Sequence, residues 1–256
     1  MSDRDIESRE QVLSQLAVLI PAYNEALSLG SLIREIRAVL PTQPVIIVND
    51  GSLDRTADVA RAHGAIVLDL PCNLGIGGAV QTGFRYAFEN GYKYVVRLDG
   101  DGQHPPEGIS TLVDKLVAEK VDMVLGSRFL DVRSYRSTFV RFLGIRGLAV
   151  MLSLICRKKV TDPTSGFFVL NRRLLYYFSH HYPTDYPEPE ALALLRRQGY
   201  DFCEAGVVFR ARTAGQSSIN SWSTIYYGIK VGLALLVDRV RPVDRRFEKF
   251  RVRQDI

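Results

Sequence analysis

Cysteine is scarce in this chain. Only Cys72, Cys156 and Cys203 occur among 256 residues. Their odd number and wide spacing exclude a disulfide framework and a CxxC-type thiolate metal site, and a reducing cytoplasm is the expected setting. Long hydrophobic runs are also missing. No uncharged apolar stretch reaches the roughly 18 to 20 residues of a membrane-spanning helix, although Phe142–Cys156 and Ile225–Val240 come near. Met1–Gln11 is charged and has no apolar centre, so no secretory signal is expected there. An acidic excess is absent too: 33 Lys and Arg stand against 28 Asp and Glu, a formal charge of +5. A mild basic balance favours phosphates, nucleotides or acidic lipid surfaces, and no nucleic-acid partner is expected. Internal repeats, low-complexity stretches and linkers are lacking, which points to one globular domain.

What is present is an alternation of strand and helix patterns. Apolar strands are expected at Leu16–Ile20, Val45–Val48, Ala65–Leu70, Tyr94–Leu98 and Met123–Leu125. Between them Ala26–Leu40, Asp54–His63, Leu74–Asn90 and Pro106–Glu119 read as helices. The second half is less regular: a helix over Phe142–Cys156, a turn at Asp162–Gly166 leading into a strand Phe167–Leu170, a helix at Pro187–Arg197 and a strand Phe202–Arg210. This pattern predicts an α/β fold, a mostly parallel sheet flanked by helices on both faces. The division read from it is a lead over 1–15, a main α/β domain over 16–215, and a C-terminal amphipathic helix with a basic tail over 216–256.

In such sheets ligands bind beyond the carboxyl ends of the strands, where the polar clusters of this chain fall: Pro21–Glu25, Asn49–Ser52, Asp99–His104 and Gly126–Arg128. Asp99 and Asp101 are too close to stay ionised together without a cation or proton between them. A hard divalent ion such as Mg²⁺, which takes carboxylates and substrate phosphates, can be held by Asp101 and Gln103; the alternative is a solvated turn. Asp50 suits a nucleoside hydrogen bond or an Asx turn. Glu25 fits a helix's first turn, and Tyr23 can stack on a base. Asn73–Gly78 reads either as a phosphate-cradling helix start or as a close-packing glycine stretch.

The segments LIPAYNE, IIVNDGSLDRT, NLGIGGAVQTGFRYA, RLDGDGQHPP, LGSRF and DPTSGFFVLNRR, in this order, resemble inverting family 2 glycosyltransferases. The resemblance covers roughly residues 15 to 215 and is strongest to dolichyl-phosphate mannosyltransferases and bacterial polyprenyl-phosphate sugar transferases. It implies a GT-A fold, Rossmann-like in layout, a UDP- or GDP-linked sugar donor, and Mg²⁺ or Mn²⁺. By position, Pro21, Tyr23, Glu25 and Asp50 would hold the nucleoside, with Asn73 and Gly78 in the phosphate loop. Asp99 would lie near the ribose or sugar, and Asp101 and Gln103 would bind the metal.

The implied reaction is inverting transfer of a hexose to a polyprenyl phosphate. An attacking phosphate needs positive charge around it, and Arg128 with Ser127 is the first candidate, joined by Ser165, Arg141, Arg172, Arg210 and Arg212. The stretch TDYPEPEAL departs from the mannosyltransferase pattern. Glu188 and Glu190 either favour a helix N-terminus or supply a base, Glu190 foremost, for a hydroxyl acceptor in polysaccharide assembly. A non-catalytic nucleotide-sugar-binding subunit is the further alternative. Greasy helices beside basic clusters suit attachment to the inner face of the cell membrane, through anionic lipid or a small integral membrane partner. A homo-oligomer is compatible with all of these readings.

Overall fold

The computed structural model describes residues 8–131 and 139–210. The strands form one seven-stranded sheet in the order β3-β2-β1-β4-β6-β5-β7. Its strands are β1 (Leu16–Ala22), β2 (Val45–Asn49), β3 (Ile66–Asp69), β4 (Tyr94–Arg97), β5 (Met123–Ser127), β6 (Phe168–Leu170) and β7 (Phe202–Gly206). β1 to β4 run parallel, as do β5 and β7, while β6 is antiparallel to both β4 and β5. Every residue of β1 and β2 is buried, as expected of strands covered on both faces.

Alternation along β1 distributes side chains between two cores. Ala17 and Leu19 join Ile46, Val48 and Phe84 on one face. Val18 and Ile20 join Leu29, Ile33 and Ile47 on the other. Helices α1 (Arg9–Ser14), α2 (Ala26–Val39), α3 (Thr56–Ala62) and α5 (Gly108–Glu119) contribute to the second face, whereas α4 (Gly75–Glu89), α6 (Phe139–Cys156), α7 (Arg172–His180) and α8 (Pro187–Arg197) cover the first. Each fully buried Leu, Ile or Phe contributes about 1.5–3 kcal/mol relative to an exposed one.

Several boundaries move for local reasons. The lead contains α1, closed by a capping box between Ser8 and Gln11. Helix α3 starts at Thr56 because Asp54 accepts hydrogen bonds from the Thr56 amide and hydroxyl. Helix α7 was not expected; Asn171 caps it by accepting from the Leu174 amide. β7 stops at Gly206, short of the expected Arg210. The segment Ile225–Val240, expected to be helical, and the basic tail lie outside the described residues.

The reversal of β6 matters most for the site. Its first residue, Phe168, pairs with Arg97 at the end of β4 and with Leu125 on β5. The turn before it, Asp162–Gly166, therefore emerges at the same rim as the parallel strand ends. The start of α4 presses on the segment before α8: a Cβ on Gly77 would stand 2.2 Å from the Pro183 carbonyl oxygen and 2.6 Å from Thr184 Cα. Gly77→Ala gains about 0.5–1 kcal/mol of helix propensity. Overpacking against backbone costs about 1–3 kcal/mol, so the variant is expected to melt a few degrees below the wild type by circular dichroism, and an unchanged or raised Tm would contradict this contact.

Candidate active site

A cavity of about 500 Å³ opens at the carboxyl ends of β1, β2 and β4. Pro21, Tyr23, Glu25, Asp50, Asn73, Asp99, Asp101 and Glu188 all line it, together with Gly75, Ile76 and Arg97. The nucleoside end is built by a left-handed turn: Asn24 has φ 56°, its amide donates to Ser52 Oγ and its Oδ1 accepts from the Leu53 amide. Asn tolerates this conformation better than most residues. The turn leaves Tyr23 46% exposed at the mouth. Asp50 Oδ1 accepts from the Leu74 amide at 2.7 Å, and this bond ties the β2 loop to the start of α4. Glu25 Oε2 accepts from the Ser28 hydroxyl, which also reaches the Gly100 carbonyl. Gly78 lies one turn into α4, where its packing is against Leu74.

The floor is a buried ion cluster. Arg97 is 1% exposed, and its Nη2 lies 3.0 Å from Asp99 Oδ1 and 2.9 Å from Glu188 Oε1. Its Nη1 is 3.5 Å from the Tyr182 hydroxyl. Burial works against the guanidinium charge, yet Asp99 and Glu188 outweigh it and hold the Arg97 pKa above its ordinary value. Burial likewise opposes the Asp99 charge, but Arg97 and His104 prevail and its pKa falls below the usual carboxylate range. His104 Nδ1 accepts from the Asp99 amide at 2.9 Å, which assigns its proton to Nε2, 3.7 Å from Asp99 Oδ2. Burial pushes the His104 pKa below its ordinary value. Phe167 stacks on that ring at 5.2 Å. A Cβ on Gly166 would stand 2.8 Å from Asp99 Oδ2, so the turn before β6 closes directly on this carboxylate.

Asp101 Oδ1 accepts from the Gln103 amide at 3.0 Å. Among the described residues no group of three or more His, Cys, Asp and Glu side chains is placed to hold a metal. The donor set at Asp101 and Gln103, one carboxylate and one amide oxygen, fits a hard cation that completes its shell with water and phosphate rather than a cation in an all-protein cage.

Beside the cavity Arg128 grips Asp162 through Nε at 2.7 Å and Nη2 at 2.7 Å, and Nη2 also reaches Thr164 Oγ1 at 2.7 Å. Burial opposes the Arg128 charge, and the Asp162 bonds more than restore it, raising its pKa. The loop is anchored from behind: Glu204 on β7 accepts from the amides of Thr161 and Asp162 and from the Thr161 hydroxyl. Burial pushes the Glu204 pKa up against those bonds. Ser127 is fully buried with its hydroxyl 2.6 Å from Thr161 Oγ1, and buried Ser165 accepts from the Phe167 amide. Both serines thus brace the loop rather than face the cavity. Two arginines expected at an acceptor lie elsewhere: Arg172 stacks on Phe88 and donates to the Tyr92 carbonyl, and Arg210 bridges Glu35 and Glu107. The Arg141 side chain and all of Arg212 lie outside the described residues. Of the two glutamates in the first turn of α8, Glu188 lines the cavity. The role of Arg97 was missed by sequence reasoning, although a lone charge inside the apolar run Tyr94–Leu98 was a usable signal.

A doubly covered sheet with acidic strand ends around one cavity is the layout of an α/β domain with a ligand site at its strand ends. The chain belongs to Glycosyl transferase family 2, whose family model matches residues 17–178. It is 30% identical to the polyprenol monophosphomannose synthase of Mycolicibacterium smegmatis, over 62% of each chain. It is 36% identical to the undecaprenyl-phosphate mannosyltransferase of Micrococcus luteus, over 44% of this chain and 48% of that one. The match thus spans about half to two thirds of the length of these two relatives. The fold is similar to glucosyl-3-phosphoglycerate synthase of Mycobacterium tuberculosis, crystallised with Mn²⁺, uridine diphosphate and phosphoglyceric acid. The TM-score is 0.67 at 21% identity, covering 93% of this chain and 84% of that one. The architecture is the GT-A fold that the sequence motifs imply.

The Arg97 cluster makes a stability prediction. Arg97→Met leaves two carboxylates without their shared cation, and breaking a buried pair from one side costs about 3–5 kcal/mol. The loss belongs near the lower end because Asp99 keeps some solvent contact. The folded pKa of Asp99 lies below its ordinary value of 3.8, so its share is present above that value and is lost as pH falls through the folded pKa. The gap between wild type and Arg97→Met in denaturant melts is expected to narrow on acidification below 3.8; a pH-independent gap would contradict the ion pair.

Proposed function

We propose that this chain transfers a hexose from a UDP- or GDP-linked donor to a polyprenyl phosphate, with inversion. The carrying observation is that Pro21, Tyr23, Glu25, Asp50, Asn73, Asp99 and Asp101 line one cavity, although Gln103 and Gly78 are not part of its lining. Two relatives named for sugar transfer to lipid phosphates support the acceptor class. In this reading Pro21, Tyr23, Glu25 and Asp50 hold the nucleoside, and Asn73 and the start of α4 face the phosphates. Asp101 and Gln103 would hold Mg²⁺ or Mn²⁺, which would supply positive charge to the diphosphate leaving group.

An oxygen of the acceptor phosphate forms the new bond to the anomeric carbon while the bond from that carbon to the diphosphate breaks. A phosphate monoester has its second pKa near 6 and arrives largely as a dianion, so no strong base is required. Arg128, fixed by Asp162, is the cation assigned to hold it. The presence of Glu188 in the cavity favours a second reading, in which a saccharide hydroxyl attacks and an α8 glutamate, Glu188 or Glu190, takes its proton.

One radiolabelled transfer assay tests both readings. Asp101→Asn is expected to abolish transfer and metal dependence without loss of fold. Arg128→Ala is expected to cost far more than Glu190→Gln or Glu188→Gln in the chemical step. A general base contributes typically 10²–10⁴-fold, so a glutamate variant roughly a hundredfold or more below Arg128→Ala in kcat would move the acceptor to a hydroxyl.

We also infer peripheral attachment to the inner face of the cell membrane. Among the described residues no helix is long and apolar enough to cross a membrane. Helix α6, however, exposes Leu143 by 63%, Val150 by 59% and Leu154 by 75%, beside the basic run Arg157–Lys159. Flotation with anionic liposomes is expected, weakened by salt and by Leu143→Ser with Leu154→Ser. Unchanged flotation of that double variant would relocate the attachment to the tail after Asp238, where an integral membrane partner could replace lipid.

A further inference from the structure

We propose that Glu188, oriented by buried Arg97, is the specificity-determining acceptor for the hydroxyl groups of the donor hexose. The inference rests on the reading of the cavity as a nucleotide-sugar site and extends it to the sugar. Glu188 lines that cavity, and its side chain keeps 16% exposure while Oε1 takes the Arg97 contact at 2.9 Å. Its backbone is held on both sides by Pro187 and Pro189, each buried at the start of α8. Prolines fix φ and leave little freedom to re-aim the residue between them. The segment leading into α8 is pinned against α4 by the close approach at Gly77, and α4 supplies Gly75 and Ile76 to the same cavity. The carboxylate is thus pre-positioned relative to the donor loop before any ligand arrives.

Its chemistry is selective. An ionised carboxylate only accepts hydrogen bonds, so its partner must be a donor such as a sugar hydroxyl. The local charge adds a second filter. Arg97 supplies one positive charge against the two negative charges of Asp99 and Glu188, so the cluster is net negative by one. A hexose fits this wall, whereas a uronic acid would bring a third carboxylate to it, and like charges this close disfavour binding.

The test is calorimetric titration of the full chain with Mn²⁺ and two ligand series: UDP, UDP-glucose and UDP-glucuronic acid, and GDP, GDP-mannose and GDP-mannuronic acid. For the base that binds, the wild type is expected to take the neutral sugar more tightly than the uronate. Glu188→Gln should leave the bare diphosphate within about twofold, weaken the neutral sugar about tenfold or more, as for loss of a hydrogen bond to a charged group, and narrow the discrimination against the uronate. Glu188→Asp should recover part of the sugar's increment. If Glu188→Gln fails to fold, Arg97→Lys keeps the charge but not the fork and should show the same sugar-selective loss. Equal weakening of diphosphate and sugar, or no weakening of either, overturns the assignment alone. Failure of the wild type to bind either series overturns the nucleotide-sugar reading and this assignment with it.

Discussion

A guanidinium enclosed in the sheet is the constraint around which this site is organised. Arg97 ends β4, a central strand, with 1% of its side chain exposed. An isolated charge there would be prohibitive. The fold tolerates it by bringing one carboxylate from the same strand end and another from the start of α8 onto a single nitrogen. That arrangement fixes Asp99, and Asp99 in turn receives His104 from its own loop and Gly166 from the turn before β6. Three segments distant in sequence, 97–104, the turn at Gly166 and the start of α8, therefore converge around one buried cation.

The loop around Arg128 follows a similar rule with a different anchor. Glu204 lies on β7 behind the loop and is saturated by the amides of Thr161 and Asp162 and by the Thr161 hydroxyl. Those bonds hold the Asp162 carboxylate where Arg128 can grip it with two nitrogens. An arginine committed this way is not a floating surface charge. It presents a fixed cation, and in the proposed reading such a preorganised charge would hold the attacking phosphate without reorganising during the reaction. Ser127 and Ser165, which the motifs offered as phosphate contacts, contribute to the same rigidity from within.

Much of this was legible in the chain. Continuous apolar runs marked β1 and β2, a run broken only by Arg97 marked β4, and helical spacing marked α2, α4 and α8, because those patterns are set by local burial. The rim clusters at Pro21, Asp50 and Asp99 were equally plain, since a polar group directly after a buried strand can only emerge at its end. Helix α7 and the reversed strand β6 were harder. Three apolar residues carry no mark of direction, and α7 depends on a single cap at Asn171 and on packing against α4.

The sequence by itself determined the alternating α/β layout, the family and the carboxylates of the candidate metal motif, because each is written in contiguous residues or in local periodicity. Only the tertiary structure decided which charges meet. It chose Glu188 over Glu190 for the cavity by the rotation of α8, made Arg97 the common partner of Asp99 and Glu188, and turned Arg210 and Arg172 toward structural contacts. The physical reason is that ion pairing depends on distances of a few ångströms between side chains far apart in the chain, and those distances exist only once both cores have packed.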